Sequence, residues 1–116
     1  HSYLNCTIAN VSSVVFKRAD YKKFFEDAGK FKQAGDWVFY LYVMSTGKIA
    51  YYNKPLNYYR VHGNNVTSKT KKQKHFDEIV NVHKMIEKQY GLNKEQKKNI
   101  QDRYNFLKKV WYLDTK

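Results

Sequence analysis

Apolar side chains follow two different regimes along this chain. From Lys69 to Tyr90 they recur at helical spacing, with Phe76, Ile79, Val80, His83, Ile86 and Tyr90 on one stripe and Gly91 placed as a stop. Asn93 then opens a second helix, Gln96 completes a capping box, and Ile100, Tyr104, Leu107 and Trp111 line the buried face. The short connection predicts a helical hairpin. Upstream the pattern is shorter and more aromatic. Ile8–Phe16 is rich in β-branched residues and predicts a buried strand. Asp20 is placed to cap a short helix carrying Tyr21, Phe24 and Phe25 that ends by Gly29. At Asp36 another helix begins, with Trp37, Tyr40, Leu41 and Met44 at i, i+3, i+4 and i+7 and Gly47 as its stop. Lys48–Asn53 and Leu56–Val61 read as two strands joined through Pro55, and residues 62–65 as loop.

Composition sharpens this division. Residues 1–66 hold 9 basic and 4 acidic residues with 14 aromatic rings, whereas residues 67–116 hold 13 basic and 6 acidic with 6 rings. The first part predicts a packed α/β core (1–68) and the second a helical extension (69–116). In 116 residues one domain is expected and hardly two. No apolar run approaches the ~18–20 residues that span a bilayer, and no signal-peptide pattern is read. Cys6 is the one cysteine, which excludes an internal disulfide and fits a reducing, cytoplasmic compartment.

The formal charge of +12 bears on partners rather than fold. Nucleic acid, an anionic membrane surface or a phosphorylated small molecule would each be attracted. The run Lys69, Lys71, Lys72, Lys74 opposes the dipole of the helix it opens, so helix stability does not explain it. Anionic lipid or a diphosphate would, and a solvated face is the plain alternative.

Standard chemical motifs are absent: there is no P-loop, G-x-G-x-x-G, HExxH or CxxC, and the four histidines lack zinc spacing. Of these, His75 is expected at the surface and His83 on a helix face. Asp36 is the one acid between Asp27 and Asp77 and stands before an aromatic helix. It reads either as an N-cap or as a carboxylate that the positive end of a helix favours, beside rings suited to a sugar. His62 follows a strand end and precedes Gly63, and Arg60 shares its strand face. His62 reads either as a turn histidine or as a metal or phosphate ligand.

Three segments, Asn10–Lys17 (NVSSVVFK), Gly35–Tyr51 (GDWVFYLYVMSTGKIAY) and Pro55–Thr67 (PLNYYRVHGNNVT), together resemble the C-terminal half of a family 2 glycosyltransferase of the bacterial cell-surface polysaccharide type. The resemblance implies a mixed α/β fragment of a GT-A fold, followed by the helical hairpin. It implies inverting transfer from a nucleotide-diphosphate sugar to a saccharide or lipid-linked acceptor, with Mg²⁺ or Mn²⁺. Asp36 would be the catalytic base, and Trp37 would shape an acceptor site underlain by Asn10, Ser12 and Ser13. Arg60 and His62 would meet the donor diphosphate, with His62 at the metal. The Asp-x-Asp that normally holds the metal is not in this chain, so these residues alone are expected to be inactive, and the apolar surface that the nucleotide-binding half would cover is expected to make them self-associate. Peripheral contact with the inner membrane face is expected and nucleic acid is not. The alternative is a basic module without chemistry that binds nucleic acid or anionic membrane.

Overall fold

Four α-helices run through the described residues of this computed structural model, which are 4–6, 8, 11–18, 20–58 and 72–113. They are α1 (Lys22–Ala28), α2 (Gly35–Ser45), α3 (Lys72–Tyr90) and α4 (Lys94–Trp111), preceded by one 3-10 turn at Val11–Ser13. The chain forms two units, Ser2–Lys69 and Thr70–Lys116, each with its own buried side chains.

No strand is present among the described residues, which are 63% helical. The expected mixed α/β GT-A fragment is therefore corrected: the described residues are helical, with no sheet among them. Residues 14–18 and 48–58 lie in neither helix nor strand, and Val15, Ile49, Tyr51, Leu56 and Tyr58 are exposed. The physical reason is pairing. β-Propensity describes fit to a pleated, half-buried surface, and a strand needs a neighbour to accept its N–H and C=O groups. Among the described residues these segments have no such neighbour. The remainder of the strand expected at Leu56–Val61 lies outside the described residues.

In the first unit, the Asp20 carboxylate accepts from the Lys22 N–H at 3.0 Å and so supports the start of α1, although Tyr21 is the capping residue. Gly29 closes α1 as expected. A Cβ on Gly35 would lie 3.3 Å from the Ala28 carbonyl oxygen, so the start of α2 sits tightly against the end of α1. The middle of α2 is buried all round, at Trp37, Val38, Phe39, Tyr40 and Leu41, a broader face than the predicted stripe. Rings fill the space between α1 and α2. Phe39 meets Phe24 at 5.0 Å, Tyr21 at 5.5 Å and Phe16 at 4.8 Å, largely edge to face. Each such pair adds ~0.5–1.5 kcal/mol beyond area burial.

In the second unit, α3 and α4 form the predicted antiparallel hairpin. Contacts run from Trp111 against His75 to Lys97 with Glu87, a 2.6 Å ion pair exposed on both sides and so worth ~0–1 kcal/mol. Gly91 adopts φ 68°, which a side chain would strain, and its N–H donates to the Glu87 carbonyl at 2.9 Å. Asn93 and Gln96 form the expected capping box, with the Asn93 side chain accepting from Gln96 N–H at 2.8 Å and the Gln96 side chain from Asn93 N–H at 2.9 Å. Phe76, Ile79, His83 and Ile86 are buried as predicted, and Val82 joins them; Val80 is half-buried and Tyr90 exposed. Ile100 is buried, with Tyr104, Leu107 and Trp111 half-buried. His75 is half-buried against Trp111 rather than at the open surface.

Candidate functional site

Asp36 stands in the first turn of α2, whose capping residue is Ala34. The N-cap alternative is thus replaced by a position two residues further in. There the carboxylate Oδ1 accepts from the Trp37 N–H at 2.7 Å, one of the donors that a helix start leaves unsatisfied. The side chain is exposed, and a helix N-terminus is an environment that favours negative charge. Trp37 points the other way and is only 3% exposed. Its indole is part of the buried core of this unit.

One turn along α2 is Tyr40, 3% exposed, whose hydroxyl finds no hydrogen-bond partner among the described residues. Burial pushes its pKa up to about 12, with the negative charge of Asp36 and then the Cys6 thiol acting in the same direction. The pattern of apolar positions places Tyr40 in the core, and it is buried there.

Ser12 and Ser13 lie in the 3-10 turn and are exposed. The Ser12 hydroxyl accepts from the Asn57 amide at 3.4 Å, across 45 residues of sequence. Asn10, Arg60 and His62 lie outside the described residues. Among the described residues no three His, Cys, Asp or Glu side chains gather into a set able to hold a metal ion. Asp36 is one carboxylate and does not by itself fit Mg²⁺ or Mn²⁺. Among the described residues no helix is long and apolar enough to cross a membrane. No family model matches the chain, and comparison with curated proteins and with solved structures likewise gives no match.

Proposed function

We propose that these residues supply the acceptor-side part of an inverting glycosyltransferase, which moves a sugar from a nucleotide-diphosphate donor to a hydroxyl of a saccharide or lipid-linked acceptor. The observation that carries the reading is the convergence of the three segments on which the resemblance rests. Phe16 of the first packs on Phe39 of the second at 4.8 Å, and Ser12 of the first bonds Asn57 of the third.

In this reading the Asp36 carboxylate takes the proton of the acceptor hydroxyl. The acceptor oxygen then bonds the anomeric carbon as the bond from that carbon to the diphosphate breaks, and the nucleoside diphosphate leaves with the electron pair. The exposed carboxylate supports the role, because a general base must be reachable by the acceptor. Arg60 and His62 are proposed to meet the donor diphosphate, and the remaining donor- and metal-binding groups to come from outside these residues. The exposed apolar side chains Val15, Ile49, Tyr51, Leu56 and Tyr58 offer a surface for that donor-binding part to cover.

Asp36→Asn tests the reading in an enzyme containing this segment. Turnover is expected to fall by ~10²–10⁴-fold with donor affinity unchanged, as for loss of a general base. Near-normal turnover would overturn it. The 116-residue chain alone is expected to transfer no sugar, since positioning of both reactants supplies ~7–11 kcal/mol of barrier reduction.

A further inference from the structure

We propose that His83 makes the α3/α4 hairpin an acid-sensitive latch: a proton taken up by its imidazole loosens the packing of α4 on α3. The inference uses no residue of Ser2–Lys69 and stands apart from the glycosyl-transfer reading. The imidazole is 3% exposed and its Nδ1 lies 2.8 Å from the Tyr104 hydroxyl, with the two ring centroids 5.4 Å apart. Around this pair the contact is apolar. Phe76, Ile79 and Ile86 of α3 are buried along with His83, and Phe76 packs edge-on to Tyr104 at 5.5 Å.

A neutral imidazole has one N–H and one bare nitrogen, so it shares a hydrogen bond with a hydroxyl in either sense. The imidazolium carries N–H on both nitrogens, and a full charge inside an apolar contact needs an anion to offset it. Tyr104 does not supply one. Burial raises its phenol to about 12, with Arg103 acting against the rise and Glu87 with it, so the hydroxyl stays neutral at acid pH. The charged groups of this unit that flank the pair are Glu87 on α3, and Arg103 and Lys108 on α4. Glu87 stands one turn after His83, but it is exposed and already held by Lys97 at 2.6 Å. Arg103 adjoins Tyr104 in sequence, and the Lys108 ammonium lies 6.0 Å from the Phe76 ring; both oppose a further cation. Glu78 precedes Val82 by four residues and so shares that side of α3 rather than the side of His83.

The sign follows from linkage. In the unfolded chain His83 takes up its proton near pH ~6.5. In the folded hairpin, burial without a free anion holds the same step to lower pH. Between those values the unfolded chain binds more protons, so the contribution is fully present above pH ~6.5 and is lost as pH falls toward the folded value. One such group lowers the folded-to-unfolded ratio roughly tenfold between about pH 7.5 and about pH 5.5. Exposed carboxylates titrate near ~4 and change little in that window. His75, half-buried against Trp111, is the other described histidine of this unit and serves as the comparison.

The test is the titration of the His83 ring in the full chain, followed by nuclear magnetic resonance of its C–H signals and assigned through their proximity to the Tyr104 ring. A midpoint below ~6.5 is expected, and one at or above that value overturns the proposal. Urea unfolding read by helical circular dichroism at about pH 7.5 and about pH 5.5 supplies the second readout. The unaltered chain should lose roughly tenfold in its folded-to-unfolded ratio at the lower pH. His83→Gln, which keeps a hydrogen-bonding side chain and cannot titrate, should remove that loss, whereas His75→Gln should retain it. An equal loss in the unaltered chain and in His83→Gln, or its removal by His75→Gln, would overturn the assignment to His83. The ring titration needs no variant, so it decides the matter where His83→Gln fails to fold.

Discussion

The imidazole Nδ1 of His83 and the hydroxyl of Tyr104 lie 2.8 Å apart where α3 packs against α4. His83 is 3% exposed, so this bond satisfies a polar ring inside an otherwise apolar contact. Tyr104 also packs edge-on to Phe76 at 5.5 Å, which ties the polar contact to the apolar one. A histidine that sequence places on a helix face is thereby a determinant of how the two helices meet.

Tyr104→Phe keeps the ring contacts and removes the partner of a buried imidazole nitrogen. A cost of about 1–3 kcal/mol is expected, read as a lower unfolding midpoint in urea. An unchanged midpoint would mean that the bond adds nothing to hairpin stability.

Alkaline pH should weaken both units through two tyrosines. Burial, the leading cause in each case, raises Tyr40 and Tyr104 to about 12, while an unfolded tyrosine titrates near 10. Between those values the folded chain holds more protons than the unfolded one, so stability falls as pH rises. The contribution is fully present below pH ~10 and is lost as pH climbs through ~12. Urea unfolding at about pH 9 and about pH 11 should show the decline, and Tyr40→Phe with Tyr104→Phe should reduce it. Equal declines in the parent and the double variant would overturn this assignment.

Tyr40→Phe by itself should behave unlike Tyr104→Phe. Its hydroxyl is buried without a partner among the described residues, so removing it deletes a desolvated polar atom and breaks no bond. Stability is expected to be unchanged or higher. A loss of more than about 1 kcal/mol would show that the hydroxyl is bonded in solution.

The turn between α3 and α4 offers a third contrast. Asn93→Ala removes half of the capping box and should cost ~0.5–2 kcal/mol. Gly91→Ala forces a side chain into φ 68° and should cost ~1–2 kcal/mol by strain. Melting temperatures of the two variants check both figures, and values equal to the parent would remove the turn from the hairpin's stability.

Local pattern alone determined the hairpin. A helix satisfies its own backbone, and its buried stripe recurs within a few residues, so Phe76, Ile79, Ile86 and Ile100 announce a face before any partner is known. The capping box at Asn93 and Gln96 is local in the same way, as is the stop at Gly91. The segments at Ile8–Phe16 and Lys48–Asn53 were different. Their β-branched and aromatic residues express a preference, but a strand exists only when another strand accepts its hydrogen bonds, and that partner is a property of the tertiary structure. For Asp36, sequence marked a helix start and a carboxylate beside a ring. Only the fold decided that Ala34 takes the cap, that Asp36 remains exposed in the first turn, and that Trp37 turns inward. Those outcomes depend on how tightly α1 and α2 approach at Gly35, a distance no linear pattern encodes.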